Sequence, residues 1–326
     1  MQTVLILNPV SGTSMMAAPG QTLQDHESTI IAALNDYGIA PEIWYTTAED
    51  PGKELARRAA DSSAELVIAA GGDGTIHAVA SGLIGSKSTL GIIATGTMNN
   101  LAQSLNIPPE IEQACKVIAQ GESRQIDVGK INHHIFLEVA GIGIDAALFP
   151  SAEEIKSPGL LTTLHGVING LFKLIAFRPA HLKITIDQQK PRSYHAVQVT
   201  ISNSPSYGVH LEVAPQALMD DGLLDVIIYK NFSKLAYIQH AISISQGQRV
   251  LQPKISRYRG KSIRVTSDQP VELHADGVPI GITPATVHVV PGALRVRMPP
   301  KIAHGPAMIE STIGQTASRQ ERKSTK

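Results

Sequence analysis

A lone cysteine, Cys115, rules out an internal disulfide, so the fold must rest on packing alone. Excess charge of one sign is lacking too. The 28 Lys and Arg residues balance 28 Asp and Glu residues, and no long basic block stands out. A nucleic-acid partner, which needs a concentrated cationic face, is therefore set aside. The twelve histidines show no repeated spacing that would bring three ligands to one zinc ion. No uninterrupted apolar run reaches the roughly 18 residues of a membrane-spanning helix. The nearest approach is 159–177, where Leu160, Leu164, Val167, Leu171 and Ile175 recur at helical spacing between Thr162, Thr163, Asn169 and Lys173. That pattern describes one apolar helix face, which either packs on a core or forms a lipid-facing wall. No charged leader with a cleavage site precedes the first strand-like segment, so a cytoplasmic chain is expected.

What is present is enough apolar material, 43% of 326 residues, for one or two packed cores, with two domains the expectation. Up to about residue 128, apolar runs alternate with helical stretches. The runs are Val4 to Leu7, Glu42 to Tyr45, Leu66 to Ala70 and Leu90 to Ala94; the helices lie around Ser28 to Tyr37, Lys53 to Ala60, from Thr75, and Glu110 to Ala119. This is the rhythm of a Rossmann-like parallel sheet in an α/β domain over 1–128. Beyond it, closely spaced alternating segments indicate a β-rich, sandwich-like domain over 129–302: Ile135 to Val139, Leu182 to Ile186, His195 to Ile201, Leu224 to Tyr229, Ser262 to Val265, Val271 to His274, Thr286 to Val290 and Ala293 to Val296. Its last strand is free to return to the first domain, and the polar, aperiodic tail 303–326 is expected to be disordered.

The most informative segment is Gly71-Gly72-Asp73-Gly74-Thr75, directly after the apolar run Leu66 to Ala70. Glycines on a strand-to-helix turn let backbone N–H groups approach a phosphate, and an acidic residue among them can hold Mg²⁺ or accept a proton. Two other polar turns follow strands of the same sheet: Asn8-Pro9-Val10-Ser11-Gly12 and Thr95-Gly96-Thr97-Met98-Asn99-Asn100. Ligands of open parallel sheets bind outside the carboxyl ends of the strands, so the three turns make a triphosphate cradle. Each flanking turn alone also has an ordinary reading: Asn-Pro and Ser-Gly form turns, and Thr97 can cap the next helix. No Gly-Lys-Ser/Thr closes the glycine run, so this is not a Walker A loop, and phosphate contacts must come from amides and hydroxyls.

Five segments in series resemble the diacylglycerol kinase catalytic-domain family, and specifically its bacterial YegS-like lipid kinases. They are Asn-Pro-Val-Ser-Gly at 8–12, Gly-Gly-Asp-Gly-Thr at 71–75, Gly-Thr-Met-Asn-Asn at 96–100, Gly-Ile-Gly-Ile-Asp-Ala at 141–146 and Leu-Met-Asp-Asp-Gly-Leu-Leu-Asp-Val at 218–226. The resemblance, which also extends to the NAD kinase type of fold, implies an ATP- and Mg²⁺-dependent kinase acting on a lipid hydroxyl, diacylglycerol-like, at the inner face of the membrane. It places the nucleotide between the domains, against Asn8, Thr46, Gly71, Gly72, Asp73, Gly74, Thr75, Ile76, His77 and Thr97, with Thr46 preferred to Thr47. It also implies a structural Mg²⁺ held by Asp221 and the carbonyls of Leu218 and Leu223, although Asp220-Asp221-Gly222 alone reads as a hairpin turn. The acceptor would enter beside the apolar segment 159–177. Family members often pair as dimers, but no interface is legible here.

Three departures stand against the family pattern. Where bacterial relatives carry a general-base glutamate after Asp-Gly, Asp276-Gly277 is followed by Val278, which cannot accept a proton. The third motif ends in Asn100 instead of aspartate, and Thr13-Ser14-Met15-Met16 lacks the usual nearby lysine or arginine. Three readings stay open. Asp73 serves as base or substrate orienter; Asp276 or His274 acts instead; or catalysis is lost and the chain is a nucleotide-binding regulator. An NAD kinase-like enzyme, sharing the Gly-Gly-Asp-Gly loop, is a further alternative. Gly141 to Ala146 also fits a dinucleotide fingerprint formally, but no βαβ continuation follows, so it reads as an interdomain turn. Cys115 lies among Ile111, Ala114 and Ile118 as a buried small hydrophobe. Ser11 and Ser204 lack a nucleophile-elbow sequence.

Overall fold

The computed structural model describes residues 2–10, 23–146, 177–207, 213–230 and 255–300, with isolated positions between 233 and 243. The apolar segment as far as 176, the tail 303–326 and residues 11–16 lie outside the described residues.

The first half runs β1 (Thr3–Leu7), α1 (Leu23–Asp36), β2 (Glu42–Tyr45), α2 (Lys53–Asp61), β3 (Leu66–Gly71), α3 (Asp73–Leu83), β4 (Thr89–Ala94), α4 (Asn100–Ser104) and α5 (Ile111–Gln120). Strands β1 and β3 are buried at every residue. Such continuous apolar runs suit the centre of a parallel sheet covered on both faces, and the strands lie parallel in the order β2-β1-β3-β4. Their carboxyl ends share one edge, which brings the turns after β1, β3 and β4 together.

The second half follows as β5 (Glu122–Ile131), β6 (His134–Phe136), β7 (Val139–Gly143), β8 (Ala180–Ile186), β9 (Arg192–Ser202), β10 (Leu224–Lys230), β11 (Ile255–Gly260), β12 (Ser262–Ser267), β13 (Glu272–Ala275), β14 (Val278–Ile282) and β15 (Ala285–Met298). It is predominantly antiparallel, as the alternating pattern requires: β8 buries Ala180, Leu182, Ile184 and Ile186 and exposes His181 and Lys183. The last strand does return. Arg295 and Val296 of β15 pair parallel with Thr89 and Leu90 of β4, while the rest of β15 pairs with β5 and β12. The described strands therefore form one continuous sheet with two main cores, one around β1, β3, β4 and α3, the other around β8, β9, β10, β12 and β13.

Three sequence expectations need correction. Ile135 to Val139 is not one strand. It is broken at Leu137 and Glu138, whose amides turn to the Asp276 side chain. Thr286 to Val290 and Ala293 to Val296 are a single strand, β15, whose register shifts between Val290 and Leu294. Gly141 to Gly143 is not an interdomain turn but part of β7, paired with β13 on one side and β9 on the other.

Candidate active site

The three turns at the carboxyl edge are bonded to one another. After β1, Asn8 donates its N–H to Ala70 O at 3.0 Å and its side-chain amide to Thr75 Oγ1 at 3.0 Å. After β4, Thr95 donates to Gly71 O at 2.9 Å. Asn99 takes a left-handed conformation, φ 52°, and closes the turn with two side-chain bonds to the Gly96 backbone, both 3.0 Å. Gly96 is required by close approach, because a Cβ there would sit 2.7 Å from Gly72 Cα.

Asp73, in the first turn of α3, locks the arrangement. Its Oδ2 accepts the Asn99 N–H at 2.9 Å and its Oδ1 accepts the Asn100 N–H at 2.6 Å, both from the start of α4. A carboxylate suits this place twice, lying near the N-terminus of its own helix and receiving the otherwise orphaned donors of another. Gly74 borders open space. The side chain of Thr46 is buried beside the end of β1, where its N–H bonds Leu7 O at 3.0 Å, while the Thr47 hydroxyl is taken by the Asp50 N–H. Thr97 is exposed on the same rim. Ile76 departs from the list of nucleotide contacts: its side chain belongs to the core and its N–H is bonded to Gly72 O.

The second domain meets this cradle through the β13–β14 turn. His77 Nε2, one turn along α3, lies 3.2 Å from Asp276 Oδ2. Asp276, itself left-handed at φ 44°, accepts N–H bonds from Leu137 at 2.7 Å on Oδ2, and from Glu138 at 3.1 Å and Val139 at 2.8 Å on Oδ1. Three amides therefore converge on the carboxylate, and the His77 ring lies beside Oδ2 without hydrogen-bonding it. Asp276 is a clamp that fixes the start of β7 to the hairpin.

His274 is fully buried, and burial lowers its pKa to about 4, so its ring stays neutral. Nδ1 accepts the Gly277 N–H at 3.2 Å, and the ring stacks on Tyr207. Its Nε2 side explains Gly141, where a Cβ would come within 1.9 Å of that nitrogen. The glycine pattern of 141–143 thus serves packing in a strand. Val278, in the glutamate slot, is 61% exposed.

Two further side chains were not singled out by sequence reasoning. Glu138 is only 5% exposed, and its Oε1 is buried without a hydrogen-bond partner. Burial first, then the negative charges of Asp276 and Asp73, push its carboxyl well above the usual carboxylate range. The available signal was a single acidic residue inside the apolar run from Ile135 to Ala140. Asp127, also buried, accepts the Gly222 N–H at 2.6 Å and the Gly292 N–H at 2.8 Å, tying the 218–226 segment to β5 and β15.

The 218–226 turn lies away from the cradle's hydrogen bonds. Asp221 Oδ1 accepts the Leu223 N–H at 3.0 Å and Oδ2 pairs with the Arg259 guanidinium, which also bonds Asp225 at 3.2 Å. One carboxylate with two carbonyls, Leu218 and Leu223, is the oxygen-only donor set of a hard cation. Arg259 supplies positive charge at that carboxylate already, so a cation there has to share or displace it.

Comparison with known proteins decides the family. The profile of the diacylglycerol kinase catalytic domain matches residues 2–131, and that of the YegS C-terminal NAD kinase beta sandwich-like domain matches residues 138–298. The chain belongs to the diacylglycerol kinase family. A relative named diacylglycerol kinase, from Bacillus subtilis (strain 168), is 28% identical over 285 residues, covering 86% of this chain and 90% of its own length. A Cronobacter sakazakii protein named "Probable lipid kinase YegS-like" is 29% identical over 279 residues, covering 83% and 90%. The crystal structure of a diacylglycerol kinase from Bacillus anthracis str. Sterne superposes with a TM-score of 0.69 over 91% of this chain and 96% of that one; at 22% identity it bears on the fold alone. The chain carries the glycine-rich turn 71–75 and has valine at 278, where the resemblance leads one to expect glutamate.

Proposed function

We propose that this family member is an ATP- and Mg²⁺-dependent kinase that transfers the γ-phosphoryl group to a hydroxyl of a diacylglycerol-like lipid at the membrane surface. The observation that carries the reading is the mutual locking of three strand-end turns by Asn8 and Asp73, which makes a lysine-free cradle of amides and hydroxyls facing the Asp276 hairpin. Phosphoryl transfer asks for positioning and charge neutralisation more than for covalent chemistry. In the cradle, Gly72 to Thr75 would receive the phosphates, with Thr46, His77 and Thr97 at its rim. Bound Mg²⁺ supplies the positive charge that neutralises the phosphates; the Asp221 turn, with Leu218 and Leu223, is the proposed place for a second, structural cation. No helix among the described residues is long and apolar enough to cross a membrane. A peripheral approach to the lipid is the corresponding proposal.

Transfer of labelled γ-phosphate from ATP to diacylglycerol, monoacylglycerol, phosphatidylglycerol, ceramide, sphingosine and NAD tests this, with wild type beside Asp73→Ala. Labelled lipid that is absent with Asp73→Ala is expected. Label on NAD alone would move the chain to the NAD kinase reading. ATP binding without transfer would establish the regulator that Val278 suggests.

A further inference from the structure

Three carboxylates meet where the two domains touch, and they differ in how many acceptor positions remain open. Asp276 accepts three amides across its two oxygens, with His77 beside Oδ2. Asp73 holds one amide on each oxygen and is committed to the start of α4. Glu138 alone has an oxygen with no partner, and that oxygen is buried. Buried polar atoms are almost always satisfied, so an open carboxyl oxygen needs an explanation.

Its backbone is held firmly. Glu138 N–H goes to Asp276 Oδ1 at 3.1 Å and its carbonyl accepts the Asn203 N–H at 2.8 Å. The neighbouring Asn203 spans Asp127 O and Leu137 O with its side-chain amide, both at 2.9 Å. The residue is therefore fixed by a rigid frame while its carboxyl is left unengaged, the combination expected of a group reserved for a ligand.

We propose that Glu138 takes the proton of the acceptor hydroxyl, directly or through one water, in place of the glutamate that is missing at 278. The inference rests on the lipid kinase reading above. As the hydroxyl oxygen forms its bond to the γ-phosphorus, the bond from that phosphorus to the bridging oxygen breaks. ADP leaves with the electron pair, and the hydroxyl proton passes to Glu138 Oε1. The other candidates are weaker acceptors: Val278 is an exposed hydrocarbon, His274 has Nδ1 engaged and a ring of low basicity, and both oxygens of Asp276 are committed to the amides at the start of β7. The charged and titratable groups facing Glu138 are Asp276 and, behind it, His77 and His274, together with Asp73 from α3. Burial first, and then the two carboxylates, raise its affinity for a proton.

The experiment is kcat against pH for the full chain with ATP and diacylglycerol in mixed micelles, for wild type, Glu138→Gln and Glu138→Asp. Expected is a loss in kcat of about 10²–10⁴-fold for Glu138→Gln, the range of general-base help, with ATP affinity unchanged and the acid limb of the profile gone. Glu138→Asp keeps a titrating carboxyl at shorter reach, so it should retain an acid limb at reduced kcat; it decides the matter if the glutamine variant fails to fold. A Glu138→Gln enzyme with wild-type kcat, or an acid limb identical in all three proteins, overturns the assignment and leaves the kinase reading standing. A wild type that phosphorylates no lipid overturns both.

Discussion

At the residue scale, the buried pair Gly141 and His274 illustrates how a motif can mislead. The glycines of 141–143 resemble phosphate-binding glycines, yet the distance from Gly141 to the imidazole says that the missing Cβ makes room for His274. Gly141→Ala should therefore destabilise the fold by about 1–3 kcal/mol, the usual penalty of overpacking. Removing the obstacle should undo much of it: in a His274→Ala background the same glycine substitution should cost under 1 kcal/mol in urea unfolding. An equal penalty in both backgrounds would show that the Gln198 side chain, whose Nε2 lies 2.9 Å from the same Cβ position, or the backbone, and not the histidine, demands glycine. Asp276 makes a second residue-scale case. Asparagine keeps one oxygen and loses the charge, while three amides and His77 still converge on it. Hydrogen bonds to charged groups are worth roughly 1.5–3 kcal/mol each, so Asp276→Asn should lower stability by about 2–3 kcal/mol. A substitution without effect on the denaturation midpoint would refute the clamp.

At the scale of elements, the parallel half was legible because its strands are unbroken apolar runs and its helices have one buried stripe. Glu42–Tyr45 is observed at the expected bounds, and β3 is extended by a single glycine. The antiparallel half was legible only in part. Strand β5 reads as polar at its start because Glu122, Ser123 and Gln125 are exposed, and its length comes from pairing with β15 over nine positions. Strand β14 has an exposed edge and carries Val278, Pro279 and Gly281 without alternation, so no period marks it. The site divided in the same way. Residues held in local turns, Gly71 to Thr75 and Gly96 to Asn100, were visible as motifs. Glu138 and Asp127 act through partners more than 60 positions away, and only an acidic residue in an apolar run hinted at the first. Long-range satisfaction of buried polar groups has no signature in spacing.

For the whole molecule, two buried titratable groups pull stability in opposite directions with pH. His274 has its pKa lowered from 6.5 to about 4 by burial. The unfolded chain therefore binds a proton that the folded chain refuses, and stability falls as pH drops through that window, by as much as about 3 kcal/mol when 1.36 kcal/mol accompanies each pH unit. Glu138 behaves inversely. Its folded pKa lies well above 4.5, so above pH 4.5 the unfolded chain releases a proton that the folded chain retains, and stability falls as pH rises towards the folded value. Urea unfolding of wild type, His274→Gln and Glu138→Gln across pH 4 to 8 separates the two. The His274→Gln protein should gain on wild type as pH falls from 6.5 to 4, and the Glu138→Gln protein should gain on wild type as pH rises above 4.5. If the second difference is flat with pH, the Glu138 carboxyl titrates alike in both states and the interdomain cleft is more polar than its packing implies. If it rises as expected, the folded chain is keeping an unpartnered acid at the junction of its domains against its own stability. Packing does not account for such a residue, and the proton-transfer role proposed for Glu138 would.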